Sequence, residues 1–155
     1  MMMSKILYKA KRLNDDNKWI FGLPHYDKDC NVKYLTTNTP KIYPNTFEID
    51  IKTLCKYICS DTKGCDVFEY DIVYISIDEG AGVESLIPYV VYYSALNTGY
   101  MVIPLEDVLT TNFIPSSEYL CEFIDDIQYS ESLFDFIKRD ESLNIDTILT
   151  YLNTR

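Results

Sequence analysis

The stretch Asp61-Thr62-Lys63-Gly64-Cys65-Asp66-Val67-Phe68-Glu69-Tyr70-Asp71-Ile72-Val73 constrains this chain most. Its first half is a tight polar turn, built from residues that accept local backbone hydrogen bonds or tolerate positive φ. Its second half passes the charged Glu69 and Asp71 and enters a strand over residues 72–77. There Val73, Ile75 and Ile77 share one parity and Tyr74 and Ser76 the other, the period of two that a pleated strand imposes. Fourteen tyrosines against five glycines in 155 residues push the same way, because aromatic and β-branched side chains pair across strands. The expected class is mostly β (α+β), with a short C-terminal helical appendage.

Other segments extend that expectation. Lys5, Lys9 and Lys11 alternate with Ile6, Tyr8 and Ala10, a half-buried strand. A turn at residues 14–17 leads to a second strand over 18–23, with Trp19, Phe21 and Leu23 on one face, so the chain opens with a hairpin. Pro24 breaks that strand. A short strand surrounds residues 32–36, prolines 40 and 44 bracket an edge or loop, and another short strand is expected over 54–58. Residues 88–94 and 100–104 form a hairpin about Asn97-Thr98-Gly99. Residues 105–109 make a single helical turn, and residues 119–129 read as a last strand, with a helix as the alternative. Ser130 or Ser132 caps a helix running to Lys138. Asn144 caps a second, in which Ile145, Ile148, Leu149 and Leu152 form a stripe. The division this implies is a β domain over 1–129 and a helical tail over 130–155, packed on the domain or used for association, including homo-oligomerisation.

Charge is unevenly spread. Residues 1–104 hold 13 acids and 11 bases, residues 105–155 hold 11 acids and 3 bases, and the whole chain carries -10. An acidic last third repels phosphate backbones and suits a basic protein partner, or else a solvated surface. Five cysteines, an odd number without regular spacing, together with an N-terminus lacking a hydrophobic leader, predict reduced thiols in a cytoplasmic protein. No run of apolar residues is long enough to span a bilayer.

Candidate chemistry is thin. A metal site could be drawn from Cys55, Cys59, Cys65 and His25, but the cysteine spacing lacks the two-residue clip of zinc sites, so neither a metal nor a cofactor is expected. His25, the sole histidine, stands in a proline-bearing turn without a nucleophile motif. The carboxylates Glu69 and Asp71 share a strand face but lack the apolar surroundings that acid–base catalysis needs; a scaffold role near the turn is expected instead. No phosphate-cradling glycine loop is present. The chain is therefore read as a non-enzyme.

Two blocks carry a family resemblance. The first is Ile6-Leu7-Tyr8-Lys9-Ala10-Lys11-Arg12-Leu13 followed by Trp19-Ile20-Phe21-Gly22. The second runs from Asp50 through Tyr57 and Gly64 to Phe68-Glu69-Tyr70-Asp71-Ile72-Val73. Together they resemble the YopX-like proteins of phages and prophages, over about residues 5–130. Ala10 and Tyr70 replace glycines of that pattern, which implies altered local backbone there. The resemblance implies a compact, mostly-β fold with a small SH3-like or related β-barrel and a phage accessory role, and it transfers no catalytic residue.

The functional expectation is a phage accessory protein that binds a host protein, one that is basic or handles nucleic acid. Its sharpest form is an anti-CRISPR-like inhibitor acting by nucleic-acid mimicry through an acidic, tyrosine-rich surface. Glu118, Glu122, Asp125, Asp126, Tyr129, Glu131 and Asp135 are the candidate partner-binding residues. The alternative is a small barrel that binds single-stranded nucleic acid through Lys5, Lys9, Lys11 and Arg12, with Tyr8 and Trp19 nearby.

Overall fold

The computed structural model describes residues 7–37, 46–113 and 115–155, with the side chains of residues 16 and 17 left aside. The readings placed on Lys5, Ile6 and the prolines at 40 and 44 lie outside those residues. The chain divides into two compact units, Met1–Tyr57 and Ile58–Arg155.

In the first unit β1 (Tyr8–Arg12), β2 (Asp15–Tyr26), β3 (Val32–Thr37), β4 (Thr46–Glu48) and the start of β5 (Cys55–Ser60) form an antiparallel sheet. Their order is β4-β3-β2-β1-β5. The expected N-terminal hairpin is present, pairing Ala10 with Ile20 and Lys11 with Trp19. Contrary to the expected break, β2 continues through Pro24, which pairs with Leu35. Past Gly22 the strand keeps only the β3 side among the described residues, an edge position where a missing N–H is tolerated. Gly22 itself is obligatory, since a Cβ there would stand 2.0 Å from the Thr36 carbonyl oxygen. Ala10, Ile20, Leu35 and Ile49 form this unit's core.

The second unit is built on β6 (Asp66–Phe68), β7 (Asp71–Asp78), β8 (Glu84–Ser94), β9 (Gly99–Pro104), β10 (Glu118–Tyr119) and β11 (Ile127–Ser132). Five of them form an antiparallel sheet in the order β10-β9-β8-β7-β11, while β6 adjoins the end of β5. Mostly-β is the class observed. Two antiparallel sheets and a few short helices make up that class.

Both faces of the five-stranded sheet are buried, and strict alternation sorts the side chains between them. Ile72, Val90, Tyr92, Met101 and Ile103 point to one core, shared with α1 (Leu105–Leu109), α2 (Leu133–Lys138) and α3 (Ile145–Asn153). Val73, Ile75, Val91 and Val102 point to the other, shared with Val67, Leu120 and Ile127. The two tail helices begin where their capping residues predict: Ser132 accepts from the Phe134 N–H, and Asn144 accepts from those of Asp146 and Thr147.

Those helices pack on the sheet of the second unit. Leu133, Ile137, Ile148, Tyr151 and Leu152 are buried in the first core. At roughly 2 kcal/mol per buried apolar side chain, that amounts to about 10 kcal/mol, comparable with the net stability of a whole domain. A boundary at residue 129 would moreover cut β11, which pairs with β7 through Ser132. By compactness the chain divides at 57/58, and the helical stripe, expected either to pack on the β domain or to serve association, packs into the first core.

The turn-and-strand stretch behaves as its composition predicts. Asp61 Oδ1 accepts the backbone N–H groups of Lys63 (2.8 Å) and Cys65 (2.9 Å), closing the turn, with Gly64 at φ +83°. Asp71, nearly fully buried, accepts the Phe68 N–H at 2.9 Å. Between them Tyr70 sits at φ +62° in the left-handed region. Its N–H donates to the Val91 carbonyl (2.8 Å) and its own carbonyl accepts from Leu133 (3.0 Å). One residue thus links β8 to the start of α2.

Candidate partner-binding surface

Residues 118–135 take a different path from the strand expected over 119–129. After the two residues of β10 come two 3₁₀ turns, Leu120–Glu122 and Ile124–Asp126, and only then β11. The apolar spacing of Leu120, Phe123, Ile124 and Ile127 is helical in period, and the turns realise it in short pieces. Phe123 donates to the Leu120 carbonyl and Asp126 to that of Phe123, both at 2.9 Å. β10 and β11 are opposite edges of the sheet, four strand spacings or roughly 19 Å apart. The segment crosses between them, packing Leu120, Phe123, Ile124 and Ile127 inward and leaving Glu122, Asp125 and Asp126 exposed.

The seven candidate residues therefore fall into two groups. Glu118 pairs with Val102, a residue of the second core, so it lies on the same sheet face as the crossing segment. It is close enough to Tyr89 to help raise that phenol's pKa, although burial is the larger cause. Glu118, Glu122, Asp125 and Asp126 thus share one side. Among the described residues no cation pairs with any of these four carboxylates.

Tyr129, Glu131 and Asp135 belong to the other side. Tyr129 pairs with Tyr74 across β11 and β7, and their rings stack at 4.3 Å. Glu131 accepts the Tyr74 hydroxyl at 2.6 Å and bonds the Arg139 guanidinium. Burial, helped by that carboxylate, pushes the Tyr74 phenol up to about 12. Asp135 lies in the first turn of α2, where its charge suits the helix dipole. Glu131 is engaged within the fold and Asp135 lies with it on the other side, so of the six carboxylates expected as one run four share a side.

Aromatic residues that the sequence reading did not assign complete the first side. Tyr89 stacks on Phe123, with centroids 6.1 Å apart. Tyr93 meets Tyr100 edge to face at 5.3 Å, and Tyr100 packs against the second core. The parity of Tyr89, Val91 and Tyr93 along β8 was the available signal.

The basic strand is differently placed. Lys9 and Lys11 are 7% and 4% exposed, with their ammonium groups over the Trp19 ring at 4.7 and 5.3 Å. Arg12 stacks on Phe47 at 4.7 Å. Two of the four cations proposed to grip a phosphate backbone are thereby withdrawn from solvent, and Lys5 lies outside the described residues. Among those residues, no group of three or more His, Cys, Asp or Glu side chains is placed to hold a metal. His25 bonds the Thr36 hydroxyl on β3 and has no cysteine partner in its contacts. No described helix is long and apolar enough to cross a membrane.

Comparison of the chain with protein-family models, with curated proteins and with solved structures finds no match.

Proposed function

We propose that the chain is a non-enzymatic binding protein that docks on a basic protein through the side of its second unit bearing Glu118, Glu122, Asp125 and Asp126. The observation that supports this reading most is the crossing segment itself. It anchors Leu120 and Ile127 in a core and holds three carboxylates, unpaired among the described residues, outward on short, hydrogen-bonded turns beside a fourth on β10. Residues 58–155 contain 18 acids and 4 bases, against 6 acids and 10 bases in residues 1–57, so the acidity belongs to the whole second unit. Such a field steers a basic partner and repels nucleic acid.

The resemblance to YopX-like proteins supports a phage accessory role in the bacterial cytoplasm. The sharpest form is inhibition of a host nucleic-acid-handling or defence protein, with the carboxylates occupying a groove that otherwise holds phosphates. Tyr70 at positive φ, where those proteins carry glycine, is in keeping with that resemblance. The test is affinity capture from a bacterial lysate at low and high salt, comparing the native chain with a variant carrying Glu118→Gln, Glu122→Gln, Asp125→Asn and Asp126→Asn. A partner lost at high salt and lost from the variant is expected; one retained in both overturns the electrostatic mechanism.

A further inference from the structure

We infer that the aromatic end of this face, Tyr93 and Tyr100 with Glu118 diagonal to them, is a seat for arginine side chains of the basic partner. The inference rests on the docking reading above and specifies the chemistry that reading leaves open. Tyr93 is 49% exposed near the end of β8. It meets Tyr100 with ring planes 72° apart. Half exposed, Tyr93 keeps ring surface open to a cation beside that contact. Tyr93 pairs with Tyr100, and Val102, two residues further along β9, pairs with Glu118. Glu118 is thus the diagonal neighbour of Tyr100, at a Cα separation of roughly 7–8 Å.

A planar guanidinium stacks on an aromatic face while donating to a carboxylate in its own plane; an ammonium is more strongly hydrated and lacks that fork. Rings beside an unpaired carboxylate therefore favour arginine over lysine at equal charge. Other occupants fit less well. A second copy of this chain would bring its own net charge of -10 to the contact, and an apolar segment would leave Glu118 desolvated without a partner.

The experiment titrates the full chain with oligoarginine and oligolysine peptides of equal length at an ionic strength of about 0.1 M. An exposed cation–π contact contributes on the order of 2- to 5-fold, so an arginine preference of about that size is expected from the Tyr93 ring. Tyr93→Leu together with Tyr100→Leu is expected to bring the ratio close to one while leaving oligolysine binding in place. Because Tyr100 is half-buried, Tyr93→Leu alone serves as the second variant, with a partial loss expected. Equal binding of both peptides by the native chain overturns the arginine seat and leaves the acidic face standing; binding of neither overturns both. An arginine preference unchanged in Tyr93→Leu also refutes the assignment.

Discussion

Tyr70 offers a prediction in which a sign, rather than a size, decides. At φ +62° a Cβ crowds the backbone, at a cost of roughly 1–2 kcal/mol that glycine does not incur. At an ordinary strand position the order is reversed, and glycine is worse than alanine by about 0.5–1 kcal/mol because it has more freedom to lose. Tyr70→Ala and Tyr70→Gly both remove the edge-to-face contact with Phe134, with centroids at 6.2 Å, and the hydroxyl's bond to Asn153 at 2.9 Å. Those losses are common to the two variants, about 1–3 kcal/mol together with the half-buried ring. The backbone bonds to Val91 and from Leu133 persist in both. Subtracting one variant from the other isolates the Cβ. Urea unfolding followed by far-ultraviolet circular dichroism is expected to show both variants weakened, with Tyr70→Gly more stable than Tyr70→Ala by about 1 kcal/mol. Alanine equal to or better than glycine refutes the reasoning, and with it the view that Tyr70 stands in a position shaped for glycine.

Further predictions follow from the same unit. Asp61→Ala removes the acceptor of two backbone N–H groups and is expected to cost about 1–3 kcal/mol in chemical denaturation. Asp61→Asn, which keeps a side-chain oxygen, is expected to cost less. Thiol labelling of the native chain near pH 8 is expected to reach the exposed Cys30, Cys65 and Cys121 and to spare Cys55 and Cys59. Burial first, and then the charges of Asp61 and Asp71, push the Cys59 thiol up to about 11, so little reactive thiolate forms there; its rapid labelling counts against the packing described. Tyr74 binds its proton more tightly when folded, about 12 against an ordinary 10, so its contribution to stability is complete below pH 10 and is lost as pH rises towards 12. In an ultraviolet absorbance titration Tyr74 is expected among the tyrosines that ionise late, and Glu131→Gln to bring it earlier; an unchanged profile in that variant refutes the pairing.

Much of the fold was legible in the chain because alternation and capping act locally. Residues 72–77 announced a strand by parity, and Ser132 and Asn144 announced two helix starts by side-chain chemistry. What was not legible depends on which faces meet. The parity of residues 5–11 was read as a cationic face in water, yet Lys9 and Lys11 are drawn over Trp19, a contact set by the register of β1 on β2. The acidic run from 118 to 135 looked continuous in sequence. The sheet divides it, because the crossing segment serves one face while β11 presents Tyr129 and Glu131 to the other. The unit boundary at 57/58 carries no glycine- or proline-rich linker, since it falls within β5. Only the change in charge density, from 10 bases and 6 acids to 4 bases and 18 acids, marks it in the sequence.

The central claim is that one side of the second unit does the binding, and a pure charge probe tests it most directly. Oligolysine affinity is to be measured by calorimetry for the native chain, for the variant with Glu118→Gln, Glu122→Gln, Asp125→Asn and Asp126→Asn, and for one with Glu131→Gln and Asp135→Asn. With roughly 0.2–1 kcal/mol per exposed charge pair, the first variant is expected to lose about tenfold or more and the second less than about threefold. Equal losses in the two variants, or an intact affinity in the first, contradict the account.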